Sequence, residues 1–417
     1  MSALFDYWHK DRRFGMFIHW GIYSLLEKHE QIQDIEQIPR AEYEKLAARF
    51  DPQQYDPEAW VRLAKRNGMK YICFTTKHHD GFCMWDTKQT DYNIMHTPYG
   101  KDVLRMLADA CAKEDIALCL YYSNPDWHHP NAYNSLSTHQ MLPSAGDEPC
   151  MEKYIEYIKA QITELLTGYG KIWGLFWDIP PHIQEPSINA LARNLQPGIM
   201  INDRGFDTGD FSTPERFVPD GKAFSSPTEA CESVEKYAWG YRSHETLFST
   251  HTMTSRIDKI MAMGGNYLLN IGPKPDGTLP ENSVKKFDAI GNWYLRVREG
   301  LEQTEPCSEL FSDREDLLVT RRGNTIYLHF PVDPECTGVS LDPIATLPER
   351  AVLLNNSQIL STALRILPRR RETAVLHLED LPVDTLTGET YVVRLDFTDL
   401  DAVIDQYRKT KEEDARK

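Results

Sequence analysis

The sequence has 417 residues, with 62 Asp and Glu against 46 Lys and Arg, so the net charge is −16 at pH 7 and the pI is about 5.4. This acidic balance, without a basic cluster, argues against a nucleic-acid or anionic-membrane partner. No apolar stretch approaches the roughly 20 residues that a membrane-spanning helix needs. The length allows one large α/β barrel and a smaller second domain.

The amino terminus, Met1–Lys10, has no charged region followed by an apolar one. We therefore expect no export signal and a cytoplasmic protein. The eight cysteines are scattered without a Cys-x-x-Cys pair, which favours reduced, mostly buried thiols over disulfides or a zinc site. An oligomer is compatible with the sequence, which does not fix the oligomeric state.

Short apolar strands alternate with amphipathic helices over the first three hundred residues. The strand candidates are Phe14–Trp20, Tyr71–Thr76, Ala117–Tyr122, Ile172–Asp178, Ile199–Arg204 and Asn266–Ile271. This alternation predicts a parallel sheet, and over this length an irregular (β/α)8-like TIM barrel. Six or seven strands can be placed, but not eight. We assign residues 1–305 to this catalytic barrel.

The pattern changes after about Pro306, where short strands follow one another without helices between them. They are Leu317–Thr320, Thr325–Phe330, Ala351–Leu354, Thr373–Leu378 and Tyr391–Phe397. Such a series predicts an antiparallel β-sandwich domain over residues 306–398. Residues 399–417 are highly charged and are expected to form a solvated helix or a frayed tail.

Asp178 ends the apolar run Ile172–Trp177, and Pro180 and Pro181 follow it. The tip of a buried strand is a costly place for a carboxylate unless the group is solvated or paired. In a parallel α/β barrel, the C-terminal ends of the strands are also where catalytic groups collect. Taken alone, Asp178 could equally well cap the next loop.

Other predicted strand ends carry similar side chains. They are His19 and Trp20, His78 and His79, Tyr121, His128 and His129, Trp177, and Arg204. A lone histidine is usually structural, but several imidazoles with tryptophan and arginine at one face predict a site for a hydroxylated ring. Aromatic planes pack on C–H faces, while His and Arg form hydrogen bonds with hydroxyls.

The paired histidines also raise the question of a metal. Adjacent residues of a strand point to opposite faces, so His78 and His79 cannot easily bind one ion. The sequence has neither His-Glu-x-x-His nor a zinc-type spacing of Cys and His. These observations argue against a catalytic metal.

Four motifs in order resemble the α-L-fucosidases of glycoside hydrolase family 29. They are Arg13–Gly21, Lys77–Phe82, Trp239-Gly240-Tyr241, and Gly264–Pro273 with Pro275–Thr278. The resemblance runs from about Trp8 to Gly300. It implies an irregular barrel, no metal or cofactor, and retaining hydrolysis of a terminal α-linked L-fucose. The expected partner is a fucosylated small molecule or oligosaccharide.

The resemblance also implies the catalytic roles. Asp178 matches the family's nucleophile at the end of the fourth strand. The general acid/base varies in position within the family, and Glu215 in the loop Gly209–Glu215 is the preferred candidate. Glu229 matches another acidic family position and is the alternative. Either glutamate could instead be an ordinary exposed loop residue.

Further side chains are expected to bind the sugar. His19, His78, His79 and Arg204 match residues that hold fucose hydroxyls in the family, and Trp20 and Tyr121 are candidate apolar walls. Trp177 is included because family members usually carry a tryptophan one position earlier, where this chain has Phe176.

The chain also departs from the family pattern in places that bear on specificity. Ile179 follows the nucleophile where a glycine is usual, and Glu30-Gln31 stands for a Glu-Trp pair. Two alternatives therefore stay open: a sister glycosidase acting on a related sugar such as an α-L-galactoside, and a non-catalytic carbohydrate-binding protein on a degenerate barrel.

Overall fold

The computed structural model describes residues 11, 13–368 and 373–416. The amino-terminal run on which the export prediction depends lies outside these residues. The chain divides into two compact units. The first comprises residues up to Phe217 together with Ser226–Phe248 and Asn266–Asp288, and the second comprises Val218–Ser225, Ser249–Gly265 and Ala289 onwards. The boundary between residues 305 and 306 stays a prediction.

A parallel sheet of seven strands forms the centre of the first unit. The strands are β1 (Phe14–Ile18), β2 (Tyr71–Lys77), β3 (Ala117–Ser123), β4 (Ile172–Asp178), β5 (Met200–Ile201), β6 (Glu229–Ser233) and β7 (Asn266–Ile271). Their order across the sheet is β5-β4-β3-β2-β1-β7-β6. The predicted parallel α/β architecture is confirmed, although β1 and β5 are shorter than expected and β6 was not foreseen.

The two edge strands, β5 and β6, are joined by an irregular segment. Residues 211–215 form isolated bridges to both edges, Asn202 with Phe211 on one side, and Ser212 with Thr228 and Glu215 with Cys231 on the other. This segment takes the place of an eighth strand. Glu215 belongs to this segment and lies beside edge strand β6, so its position depends on the irregular closure of the barrel.

Helices follow most of the strands. They are α1 (Ile32–Ile35), α2 (Arg40–Tyr43), α3 (Pro57–Arg66), α4 (Val103–Lys113), α5 (Met151–Gly168), α6 (Ser187–Leu195), α7 (Thr250–Ala262), α8 (Glu281–Val297) and α9 (Leu400–Ala415). Local sequence sets several of their starts. Asp56 accepts a hydrogen bond from the Ala59 N–H ahead of α3, and Asp102 caps α4 in the same way. Among the described helices, none combines the length and the apolar composition that a membrane-spanning segment requires.

Alternate strand residues fill the inside of the barrel, because consecutive side chains point to opposite faces. The resulting buried cluster contains Phe17, Tyr71, Cys73, Ala117, Cys119, Tyr121, Phe176, Cys231, Trp239 and Leu268. Gly15 also faces inward, since a Cβ there would lie 2.4 Å from the Tyr71 ring. This packed interior lies directly below the polar groups at the C-terminal ends of the strands.

The second unit contains two antiparallel sheets. The larger is formed by β8 (Glu305–Pro306), β9 (Leu318–Arg322), β10 (Thr325–Phe330), β12 (Arg350–Leu353), β13 (Gln358–Ile359) and β16 (Tyr391–Asp396). The smaller is formed by β11 (Val339–Leu341), β14 (Ser361–Ile366) and β15 (Ala374–Glu379). Leu328 and Val393 of the larger sheet share one core with Leu341 and Leu376 of the smaller. The predicted antiparallel β domain is confirmed.

The charged C-terminal segment is a helix and not a tail. In α9, Leu400, Val403, Ile404 and Tyr407 are buried, and all four belong to the core of the second unit. Their spacing of three and four residues places them on one helical face. All the charged residues of α9 lie at other positions, which explains why composition alone pointed to solvent.

Candidate active site

Asp178 lies at the C-terminal end of β4 and has three polar neighbours. Its Oδ2 accepts a 2.7 Å hydrogen bond from the Tyr121 hydroxyl, and its Oδ1 accepts a 3.0 Å hydrogen bond from Nη1 of Arg204. His79 Nε2 lies 3.8 Å from Oδ2. Burial would raise the pKa of this carboxyl, but the Arg204 charge and the hydrogen bonds outweigh it, so the pKa is lowered. Asp178 is therefore ionised at neutral pH.

Glu215 brings a second carboxylate to the same place. Its Oε2 accepts a 2.6 Å hydrogen bond from the Arg204 nitrogen that also binds Asp178, and its side chain is 36% exposed. Arg204 further donates through Nη2 to the carbonyl of Thr213, at 2.7 Å. These contacts attach the irregular segment 211–215, called the closing segment below, to the residues that follow β5.

The shared nitrogen limits how far apart the two carboxylates can be. Their nearest oxygens cannot be farther apart than the two bond lengths together, about 5.6 Å. In retaining glycosidases the two carboxyl groups are about 5 Å apart, whereas inverting enzymes separate them by about 6.5–9.5 Å. The arrangement of Asp178 and Glu215 fits the retaining geometry.

Three buried histidines line the pocket beside Asp178. Burial lowers the pKa of both His19 and His79 to about 4, and it lowers that of His78 well below the usual value. All three imidazoles are therefore neutral at neutral pH. A neutral imidazole offers one donor and one acceptor, which suits the hydroxyl groups of a sugar.

Neighbouring groups orient two of these rings. His79 Nδ1 lies 2.7 Å from the Ser123 hydroxyl, which itself donates to the carbonyl of Pro125. We therefore assign the proton of His79 to Nδ1, which leaves Nε2 as an acceptor on the Asp178 side. His19 Nδ1 lies 2.7 Å from the Asn270 amide oxygen, and the same argument leaves its Nε2 as an acceptor.

His78 differs from the other two. Its ring is nearly parallel to that of Tyr121, with centroids 5.7 Å apart and an interplanar angle of 8°. Among the described residues, its buried Nδ1 has no hydrogen-bond partner. A buried ring nitrogen without a partner is unfavourable, and His78 lines the pocket, so its ring is suited to bind a ligand hydroxyl.

Aromatic side chains complete the pocket. Trp239 stacks on His19 with centroids 5.2 Å apart, and its backbone N–H donates to the buried carboxylate of Glu30 at 2.9 Å. The pocket is lined by Phe17, His19, Gln31, His78, His79, Tyr121, His139, Phe176, Asp178, Ile179, Arg204, Glu215, Cys231 and Trp239.

The structure brings seven of the ten predicted site residues together. They are His19, His78, His79, Tyr121, Asp178, Arg204 and Glu215. Among the described residues, no cluster of three or more His, Cys, Asp or Glu side chains is arranged to hold a metal ion.

Three predicted site residues lie elsewhere, which corrects the sequence prediction. Trp20 packs against Phe50 and Trp60, and its indole donates to the carbonyl of Lys274. Trp177 is fully buried on the other face of β4 from Asp178, as the two-residue period of a strand requires, and its indole donates to Asn189.

Glu229 is the third. It begins β6, so it lies toward the opposite, N-terminal end of the barrel, where it accepts a 2.5 Å hydrogen bond from the Tyr71 hydroxyl. It does not line the pocket of Asp178, whereas Glu215 does. The geometry therefore favours Glu215 over Glu229 as the partner of Asp178.

Several pocket residues were missed from the sequence. Trp239 was noted only as part of a motif, and Gln31 only as a departure from the family. Phe17 could have been found, because it precedes His19 by two positions and so shares its face. His139 follows no strand and lies in an exposed loop, so no local pattern indicated it.

Comparison with known proteins agrees with this geometry. The α-L-fucosidase family model matches residues 2–299, well over half of the chain. This chain belongs to the α-L-fucosidase family. Its activity is that of an α-L-fucosidase, a glycoside hydrolase, and the sequence-based identification is confirmed.

Individual members of the α-L-fucosidase family resemble the chain over most of its length. α-L-Fucosidase isoenzyme 1 from Paenibacillus thiaminolyticus is 30% identical, with a TM-score of 0.85 over 95% of this chain and 99% of that one. Tissue α-L-fucosidase of Bos taurus is 24% identical over 392 residues, which are 86% of this chain and 81% of that protein.

A third relative bears on the mechanism. An α-L-fucosidase from Bacteroides thetaiotaomicron, solved as a trapped covalent intermediate with 2-fluoro-fucosyl fluoride, is 25% identical with a TM-score of 0.79. The match covers 95% of this chain and 96% of that one. A covalent intermediate is the mark of a retaining α-L-fucosidase, and the carboxylate geometry described above is of the same kind.

Proposed function

We propose that Asp178 is the nucleophile and Glu215 the general acid/base with which this chain removes terminal α-L-fucosyl residues from small glycosides. The observation that carries the assignment is the contact of both carboxylates with Nη1 of Arg204. Through this contact, ionised Asp178 and the more exposed carboxyl group of Glu215 line the same pocket, at a separation like that of the two carboxyl groups in retaining glycosidases.

The first step forms a covalent intermediate. The Asp178 carboxylate attacks the anomeric carbon while Glu215 gives its proton to the glycosidic oxygen, so that the carbon–oxygen bond breaks and the alcohol leaves. Tyr121 holds Oδ2 of Asp178 through its hydroxyl, which orients the carboxylate for this attack. The product of the step is a fucosyl ester of Asp178.

The second step releases the sugar. Glu215, now a carboxylate, removes a proton from water, the water oxygen attacks the anomeric carbon, and the ester bond to Asp178 breaks. Fucose leaves with net retention, and both carboxyl groups return to their starting states. Arg204 lies next to both groups, so it can stabilise whichever of them carries the charge.

The pocket also has the chemistry to recognise the sugar ring. The neutral rings of His19, His78 and His79 provide acceptors for hydroxyl protons. Phe17, Phe176 and Trp239 provide an apolar surface that suits the C–H face and the methyl group of fucose.

Trapping the intermediate tests the nucleophile. We expect 2-fluoro-fucosyl fluoride to label the protein once, and peptide mass spectrometry to place the label on Asp178. Asp203→Asn is a matched control, because Asp203 is an exposed carboxylate one residue before Arg204. The control should be labelled normally, and a label on any residue other than Asp178 would overturn the assignment.

We extend the proposal to the size of the substrate. Gln31 lines the pocket at the position where the family usually has tryptophan. We expect kcat/KM for fucosyl disaccharides to exceed that for fucosylated glycoprotein clearly, and Gln31→Trp to reduce the difference. A preference for intact glycoprotein would contradict this proposal. The cytoplasmic location stays a prediction, which fractionation of the host tests.

A further inference from the structure

Arg216, the residue after Glu215, has an unusual backbone and a well-defined set of contacts. Its φ is +56°, in the left-handed region that non-glycine residues rarely adopt. Its N–H donates to the carbonyl of Cys231 at 3.1 Å, beside the bridge between Glu215 and Cys231. A conformation of this kind persists when the surroundings hold it.

The Arg216 side chain connects the closing segment with the loop that follows β6. Its guanidinium lies 4.4 Å from the centre of the Trp239 ring and donates to the carbonyl of Lys236 at 2.8 Å. It also lies 3.7 Å from the carboxylate of Glu232. A cation over a tryptophan face is the strongest form of cation–π contact.

Trp239 is itself fixed on its other sides. It stacks on His19, its N–H donates to Glu30, and its carbonyl accepts a 2.7 Å hydrogen bond from Asn270. It is therefore a rigid support for the Arg216 guanidinium. His19, Trp239 and Arg216 form a stack that links the sugar-binding side of the pocket to Glu215.

We propose that Arg216 is a positioning residue that holds Glu215 at the distance needed for proton transfer by anchoring it to the Trp239 ring. The inference rests on the proposed role of Glu215 as general acid/base. Arg204 binds the Glu215 carboxylate from within the pocket, whereas Arg216 fixes the backbone from which that carboxylate extends. Proton transfer depends on hydrogen-bond distance, so a small displacement of this backbone affects the step that needs the proton.

The test compares substrates that differ in their need for protonation. Arg216→Gly removes the side chain and keeps a backbone that accepts positive φ without strain, so folding should survive. We expect kcat for a fucosyl disaccharide to fall about 10- to 100-fold, and kcat for an activated aryl fucoside to change by less than about threefold. Inhibition by free fucose should be unchanged.

Two further variants make the comparison specific. Arg216→Lys retains a cation near Trp239 and should recover part of the disaccharide activity. Arg105→Ala is the matched control, because Arg105 lies 4.6 Å from the ring of Tyr169 in a similar stack, and neither residue lines the pocket. It should behave as the unmodified protein on both substrates.

Glu215→Ala, measured in parallel, separates this inference from the assignment on which it rests. If the loss of kcat in Glu215→Ala depends on the leaving group and the loss in Arg216→Gly does not, the role of Arg216 is refuted while the assignment of Glu215 stands. If the loss of kcat depends on the leaving group in neither variant, the assignment of Glu215 as general acid/base fails and the inference about Arg216 fails with it. If Arg216→Gly weakens inhibition by free fucose and lowers the activity on both substrates equally, Arg216 supports the sugar-binding wall and not the proton donor.

Discussion

The carboxylates of Asp178 and Glu215 accept hydrogen bonds from the same atom, Nη1 of Arg204, at 3.0 and 2.6 Å. Asp178 ends a regular strand, whereas Glu215 belongs to the irregular segment that closes the barrel. One guanidinium therefore sets the positions of both proposed catalytic groups. Their roles are best separated by variants that leave Arg204 in place.

Asp178→Gly should abolish turnover while the fold survives. Removal of a covalent nucleophile is expected to lower kcat for an aryl α-L-fucoside by about a thousandfold or more. Azide, added as an external nucleophile, should restore part of the activity in the space that the side chain vacates. Near-normal activity in a folded Asp178→Gly protein would be incompatible with the assignment.

Glu215→Ala should act selectively on substrates with poor leaving groups. General acid catalysis contributes about 10²- to 10⁴-fold, and an activated aryl leaving group needs little of it. We therefore expect a large loss of kcat on fucosyl disaccharides and a small loss on activated aryl fucosides. Glu229→Gln is the matched control, and it would show this selectivity in place of Glu215→Ala if the two roles were reversed.

The parts of the fold that could be predicted are those with a strong local pattern. The runs at β2, β3, β4 and β7 are apolar and bounded by turn residues, so their periodicity was sufficient. The strand β6 was missed because its sequence, Glu229–Ser233, is not an apolar run. Its polar side chains are buried, which no local propensity predicts.

The candidate site divides in the same way. Trp177 could have been excluded from the sequence alone, since it is adjacent to Asp178 in a strand and points to the opposite face. The choice between Glu215 and Glu229 could not be made locally, because it depends on how an irregular segment crosses the barrel rim. Loop residues such as His139 reach the pocket only through tertiary contacts, and these leave no periodic signal.

Replacing the sugar tests the apolar surface of the pocket. L-Galactose differs from L-fucose by a hydroxymethyl group in place of the methyl group. If that group faces Phe17, Phe176 or Trp239, the extra hydroxyl is buried without a partner. We expect kcat/KM for an aryl α-L-galactoside to be about 10- to 100-fold below that of the fucoside with the same leaving group. Equal values would favour a broader sugar specificity.

Glu229 should make the stability of the protein depend on pH. Burial raises the pKa of its carboxyl from 4.5 to about 7, although the hydrogen bond from Tyr71 opposes this shift. Below about pH 4.5 the group is protonated in both states and has no effect. Between pH 4.5 and 7 the unfolded state loses the proton while the folded state keeps it, so stability falls as pH rises. Well above pH 7 the group is ionised in both states, and the stability lost in this way no longer changes with pH.

Glu229→Gln removes this titration and retains an acceptor for the Tyr71 hydroxyl. The free energy of unfolding of the variant should therefore increase relative to that of the unmodified protein between pH 5 and 7.5, by on the order of 3 kcal/mol at most. Urea unfolding of both proteins at the two pH values measures the change. The two proteins must be compared at each pH, because buried Asp80 also has a pKa raised to about 7 and contributes the same pH dependence to the free energy of unfolding of both. A difference that does not change with pH would show that Glu229 stays ionised in the folded barrel.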